Sequence, residues 1–391
     1  YEADLALLKA ESEDFFKTRS GISFSTPEVG DALSVLQLEA NGNPLLSKGS
    51  MTTAEVVRYP IDDSSFLVGR LNVPLQIRES AQSLPLFKNG RLAGVMLRYD
   101  SQSSLLDFIP AVVIEHFLKD ALKTPYEGFP RMGCSFAVTR DPQLRRYLGL
   151  NGNNGGVLVA QTLKDGPAEK GGLRKGDVLM EIAGKAIDSD GNYQDDAYGR
   201  ISLGHLVCTK HFEGDKVKVR LLREGKEMEL EVPVARRHPE QYLSEPYILD
   251  RAPNYYVLGG LVLQELSRQY LKEFGADWSR KAPLDLVHID RTQSENEQEM
   301  RRHVVVLSRV LPSDVTIGYE DLRHIILKAI NGQPINDLSD VPESLKKAVN
   351  GAHKVELSGD PSVIFLDAKA VEAVGPALQR SYGLPSLSRL P

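Results

Sequence analysis

Hydroxyl chemistry is the first possibility the sequence offers. The stretch ESAQSLPLFKNGRLAGVML, residues 79–97, sets two serines, Ser80 and Ser83, ahead of a proline. Pro85 onward reads as a strand, a tight Asn89–Gly90 turn and a second apolar strand. Nucleophilic catalysis needs a hydroxyl activated by a base, beside backbone N–H groups that can form an oxyanion hole. Gln82, lying between the two serines, supplies no hydroxyl. Of the eight histidines, His205 and His211 share one helix candidate and have no carboxylate partner visible in the sequence. Neither is given a metal or acid–base role. The two cysteines, Cys134 and Cys208, occur without HExxH or CxxC spacing, so neither a zinc cluster nor a disulfide framework is expected. NGNNGG, residues 151–156, is not followed by a helix and reads as a plain loop rather than a phosphate cradle. No cofactor and no metal are expected.

The elements that must position these residues fall into three stretches. Up to about residue 122, short alternating apolar runs (DLALLKA, ALSVLQL, EVVRYP, SSFLVGRLN, LAGVMLRY) are separated by Gly, Asn, Asp and Ser turns, the pattern of an all-β barrel or sandwich. IPAVVIEHFLKDAL then predicts a helix packed on it, and KTPYEGFP a linker. The remainder carries a weak internal repeat. Residues 156–187 and 304–335 each run strand, Pro-containing loop, short helix ending at glycine (Gly172, Gly318), apolar strand, glycine turn (Gly184, Gly332) and isoleucine (Ile187, Ile335). RISLGHLVCTKHF and DVPESLKKAV are the helix candidates that follow, and DKVKVRLLREGKEMELEVPV is a hairpin around Glu224–Gly225. SRKAPLDLVHIDRTQSENEQEMRR reads as a charged surface insertion in the second copy.

At 391 residues the chain is long for one core. Its 41% hydrophobic and 26% charged residues are those of a globular protein. A net charge of -6 argues against a nucleic-acid platform, which needs a basic face. No apolar run reaches the ~18 residues of a membrane-spanning helix. The sequence opens at Tyr1 rather than Met, which reads as a processed or truncated start.

GPAEKGGLRKGDVLMEIAGKAI, with its short helix, Gly-Leu, Gly-Asp, apolar strand and glycine turn, resembles a PDZ domain. In such a domain RMGCSF would be the carboxylate-binding loop. The resemblance implies that the backbone N–H groups of Met132, Gly133 and Cys134 form a nest for a peptide C-terminus, with the next strand edge accepting the peptide. Leu203 and Val207, one turn apart, would form the other wall. VLGGLV, around Gly259 and Gly260, is the less clean counterpart in the second module.

A β-barrel followed by two PDZ modules resembles the HtrA/Deg serine proteases. VLSRVLPSDVTIGYEDL, KAINGQPINDL and RSYGLPSLSRL look like the plant-type Deg proteases and their bacterial relatives. The implied fold class is multidomain: a trypsin-like all-β barrel lobe over residues 1–124, a PDZ domain over 125–238, and a PDZ-like domain over 250–391. DLALLKA resembles the strand carrying the triad aspartate, which would be Asp4. PLFKNGRLAGVML resembles the hairpin after the nucleophile, where GNSGGPL stands in the family. Counted back from Pro85 without a gap, Gln82 occupies the nucleophile position, and Ser80 and Ser83 replace flanking glycines. A one-residue deletion would instead make Ser83 the nucleophile. The lobe bearing the histidine would precede Asp4 and is not in this sequence. A pseudoprotease that binds peptide or protein C-termini, assembles as a homo-oligomer and serves protein quality control is therefore expected. The alternatives are an active Deg-type endopeptidase and a non-protease PDZ scaffold. For a bacterial source, family resemblance points to the periplasm.

Overall fold

The computed structural model describes the chain except for residues 1, 13, 18–19, 40, 60–63, 77–82, 151–154, 239–240, 250, 293–300 and 391. The described residues divide into two compact units, Tyr1–Arg237 and His238–Pro391.

In the first unit a short exposed helix, α1 (Asp14–Lys17), precedes six strands: β1 (Ala32–Leu38), β2 (Pro44–Arg58), β3 (Ser65–Asn72), β4 (Pro85–Lys88), β5 (Arg91–Asp100) and β6 (Leu105–Pro110). They close into an antiparallel barrel in the order β1-β2-β3-β6-β5-β4, with β4 returning to β1. Alternation sets the register. In β1, Leu33 and Val35 point inward beside Leu71, Leu86 and Leu106. The β4–β5 turn is at Asn89 (φ 51) and Gly90 (φ 77), as the Asn-Gly pair predicts. Phe108 needs more room than a branched aliphatic would leave. A Cβ on Gly69 of β3 or Gly94 of β5 would come within 2.6 Å of its ring, so glycine at both positions admits it. On the outer face, the buried Asp107 of β6 is held by Arg70 (2.7 Å) and Arg98 (2.7 Å). Burial alone would raise its carboxyl, but these hydrogen bonds outweigh that and bring it below the ordinary carboxylate range. Helix α2 (Ala111–Ala121) follows directly and buries Ala111, Val113 and Ile114. The strand expected at DLALLKA does not form. Residues 5–10 carry no regular structure and pair with no strand among the described residues, and Leu8 is 88% exposed.

Still within the first unit, β7 (Cys134–Ala137), α3 (Pro142–Tyr147), β8 (Val157–Thr162), α4 (Pro167–Lys170), β9 (Val178–Ile182) and β10 (Lys185–Ala186) begin an α+β module. A hairpin, β11 (Asn192–Asp195) and β12 (Gly199–Ser202), then helix α5 (Gly204–Cys208) and the long hairpin β13 (Lys216–Arg223) and β14 (Lys226–Pro233) complete it. The main sheet runs β14-β13-β9-β8-β7. The predicted helix RISLGHLVCTKHF shortens to five residues, since Arg200–Ser202 pairs with β11 instead.

In the second unit β15 (Tyr255–Leu258), β16 (Leu261–Glu265), β17 (Val305–Val310), β18 (Ile325–Ile330), β20 (Ala352–Leu357), β21 (Val363–Asp367) and a C-terminal β22 (Ser388–Arg389) form one sheet. Its order is β21-β20-β18-β17-β16-β15-β22, with β19 (Gln333–Pro334) paired to β18. Helix α9 (Val341–Leu345) and the long α10 (Ala368–Tyr382) flank it. The repeat read from the sequence emerges as equal topology: β8, β9 and β10 match β17, β18 and β19. The stretch expected as a charged surface insertion is partly core. Within it, after α7 (Trp278–Lys281), helix α8 (Leu284–Thr292) buries Leu286, Val287 and Ile289 in one apolar cluster with Leu271 of the preceding α6 (Arg268–Lys272), while 293–300 lie outside the described residues. There Asp290, also buried, is paired with Arg268 at 3.0 Å. The charges in the sequence masked a period of apolar residues at helical spacing.

Candidate functional site

The barrel corner that would hold a nucleophile is described only in part. Gln82 and Ser80 lie outside the described residues. Ser83 is exposed, with φ 59 in the left-handed region. It adjoins Leu84, whose carbonyl accepts the Met96 N–H at 2.7 Å and starts the β4–β5 pairing. Asp4 is exposed in a turn, also left-handed (φ 54), rather than on a strand. Partial desolvation pushes its carboxyl up, and burial followed by the Asp4 charge raises the Tyr59 phenol. Among the described residues, no imidazole hydrogen-bonds to Asp4 or Ser83.

The first α+β module presents a different arrangement. Arg131, Met132 and Gly133 lead into β7. The Arg131 guanidinium donates to Ser64 Oγ of the barrel at 2.8 Å, and its backbone N–H donates to the Ala235 carbonyl at 2.9 Å. Gly133 has φ 75, and its carbonyl accepts the Leu163 N–H at 2.8 Å. A Cβ there would meet Pro167 Cδ at 2.8 Å, so the loop turns tightly against the start of α4. Cys134 opens β7, and burial pushes its thiol up to about 12, which disfavours the thiolate. Strand β7 pairs with β8 through Cys134–Thr162 and Ala137–Leu158. It ends the sheet, with no strand on its other side among the described residues. Met132, Leu203 and Val207 are 4%, 5% and 3% exposed. Leu203 is the N-cap of α5, close to the backbone of Gly191. On α5 itself the half-buried residues are Gly204 and Cys208.

The second module's counterpart is closed. Gly259 (φ 60) and Gly260 (φ 119) are both buried. The Gly259 carbonyl accepts Ser313 Oγ–H at 2.8 Å and that of Gly260 accepts the Leu311 N–H at 2.7 Å. A Cβ on Gly259 would lie 2.9 Å from Val371 of α10. The following strand, β16, has β17 on one side and β15 on the other, and β15 in turn pairs with β22 through Tyr255–Arg389 and Tyr256–Ser388.

Residues 130–234 and 245–388 each match the PDZ domain family. Over 401 aligned residues the chain is 27% identical to Protease Do-like 2, chloroplastic, of Arabidopsis thaliana, covering 98% of this chain and 62% of that protein. It is 28% identical to Putative protease Do-like 13 of the same plant, covering 94% of this chain and 69% of that one. The chain belongs to the HtrA/Deg family. Among solved structures, HtrA-type protease AlgW with tripeptide aligns at 18% identity and TM-score 0.43, over 57% of this chain and 72% of that one. The sequence spans about two thirds of the length of the curated relatives it matches.

Within this HtrA/Deg chain, sequence reasoning missed two polar centres beside the first PDZ sheet. The Gly-Asp pair places Asp177, fully buried, under Arg223. Asp195, on the β11–β12 hairpin, accepts Lys210 Nζ at 2.6 Å, Tyr193 OH at 2.9 Å and the Ala197 N–H at 3.0 Å. Burial would raise that carboxyl, yet these donors bring it down to about 2. Spacing gave no signal for either, because both pairs join residues distant along the chain.

Proposed function

We propose that this HtrA/Deg chain recognises peptide or protein C-termini through its first PDZ domain and cleaves nothing, the barrel serving as a non-catalytic platform. One observation carries the recognition half: the tight Gly133 turn leads into β7, which ends its sheet, so a peptide strand can add there with its carboxylate at the turn. Met132 and Cys134 flank that turn, and Leu203 and Val207 back the groove from within the core. Loss of catalysis rests on Gln82 in the nucleophile position. The left-handed φ of Ser83 fits a residue standing where the family pattern has glycine. Asp4 is then a vestige of the triad. We assign the second PDZ domain, closed by its own chain, to assembly of a homo-oligomer, and the whole to protein quality control by family kinship.

Fluorescence anisotropy with paired peptides, free acid against C-terminal amide, tests the recognition. Amidation is expected to weaken binding by about tenfold or more, roughly 1.4 kcal/mol; equal affinity overturns it. For the barrel, the full-length protein is expected to leave casein intact. Hydrolysis that disappears on Ser83→Ala would instead establish an active endopeptidase.

A further inference from the structure

The first unit contains a joint that neither peptide recognition nor protease ancestry accounts for. Helix α2 leaves the barrel carrying His116, which is buried. Its ring lies between two phenylalanines: Phe212 from the PDZ module, parallel within 4° at 4.3 Å, and Phe129 from the connecting segment, at 4.5 Å and 22°. Its Nδ1 is 3.1 Å from the carbonyl of Thr209, at the C-cap of α5. A carbonyl only accepts, so Nδ1 carries the proton and Nε2 is the bare nitrogen of a neutral ring. Nε2 is buried and makes no hydrogen bond to a described residue.

We infer that the barrel and the first PDZ module are joined by an acid-released latch. The neutral His116 ring, clamped between Phe129 and Phe212 and tied to the Thr209 carbonyl, holds the two together, and a proton on Nε2 opens the clamp.

The balance of charges around the ring supports release rather than tightening. Burial comes first and lowers the tendency of His116 to protonate. The Thr209 carbonyl and Asp120 oppose that, while Lys119 and Lys123 reinforce it, and the net direction is down. Asp120 is the main charge that favours a proton on the ring: its Oδ2 accepts the Gly128 N–H at 2.6 Å and the Glu127 N–H at 3.1 Å, while its buried Oδ1 makes no hydrogen bond to a described residue, and burial with the two lysines still outweighs it. Lys123 sits 5.1 Å above the Phe212 ring and adds a like charge on that face. The phenyl faces attract a cation, but that attraction is weaker than the cost of holding an unpaired charge out of water. On the module side, α5 carries a second buried imidazole, His205, edge-on to Tyr198 and facing Lys210 and Asp195. Burial and Lys210 bring it down to about 4, and its ring contact is with Tyr198 rather than with Phe129 or Phe212.

The sign follows. A histidine lowered in the closed state binds its proton more readily once released, so the latch is complete above the ordinary value of 6.5 and weakens as pH falls below it.

Hydrogen exchange at matched intrinsic rates tests this on the full chain. Between pH 7.5 and 5.0, residues 116–129 and 205–212 should lose about tenfold protection relative to the β6 backbone, which reports whether the barrel stays folded. His116→Gln, whose amide still donates to the Thr209 carbonyl but does not titrate, should remove most of that response. His116→Phe, which keeps the stack, should do the same. Unchanged protection in the wild type overturns the latch, as does a full acid response in whichever variant folds.

Discussion

Arg223 grips Asp177 with both arms of its guanidinium, Nε to Oδ1 and Nη2 to Oδ2 at 2.7 Å each, and Nη2 also donates to the Gly172 carbonyl at 2.7 Å. Strand β13 is thereby pinned to the glycine that ends the α4 turn. The Asp177 side chain is almost wholly withdrawn from water, so removing one partner strands a charge. We expect Asp177→Asn to destabilise the first unit by about 3 kcal/mol, read as a lower urea midpoint with an unchanged slope. Arg223→Lys should recover only part of the pair, since an ammonium cannot bind both oxygens in plane.

The barrel interior offers a second test. Gly69→Ala places a methyl against Phe108, whose ring also packs close to Gly94. Overpacking of this kind costs roughly 1–3 kcal/mol. Phe108→Leu alone should also destabilise by leaving a void. Combined, the two should recover stability, so that thermal melts give a double variant less damaged than the sum of the singles.

Acid should act on the β11–β12 hairpin through Asp195. Its carboxyl is lowered from 3.8 to about 2, so it stabilises the folded state above pH 3.8 and that contribution fades as pH falls toward 2. At one unit per 1.36 kcal/mol, and allowing for solvent beside Lys210, the term is on the order of 1–2 kcal/mol. Asp195→Asn is expected to be less stable than wild type at pH 7 and to match it near pH 2. A constant gap in urea denaturation across that range would show that the hairpin does not depend on the charge.

The sequence revealed the fold where periodicity and turn chemistry agree. Alternation in ALSVLQL and the Asn89–Gly90 turn predicted strands of the closed barrel, and the two glycine-punctuated repeats predicted two like modules. Legibility failed where burial depends on a distant partner. DLALLKA alternates like a strand, yet residues 5–10 pair with no strand among the described residues. The charges of α8 suggested a surface, yet Asp290 is neutralised by Arg268 and the helix is half core. For the site, the glycine of the Met132–Cys134 turn could be read locally, because a left-handed backbone is a local demand. The closed state of Gly259–Gly260 could not, since it depends on α10 and β22, more than a hundred residues further on.

That difference between the modules makes a last expectation about stoichiometry. In the first PDZ domain the strand after the glycine turn ends its sheet, whereas in the second both sides of β16 are already paired. Calorimetric titration with a free-acid peptide should therefore give one site per chain, not two. Gly133→Ala should abolish that site. Any side chain at φ 75 costs about 1–2 kcal/mol, and the added Cβ would press on Pro167, moving the turn off the geometry a carboxylate needs. Gly259→Ala strains an equally left-handed turn (φ 60) against Val371, so it should destabilise the second unit by a similar amount while leaving peptide affinity unchanged. Two sites in the wild type, or affinity lost with Gly259→Ala, would place recognition in the second module and reverse the assignment.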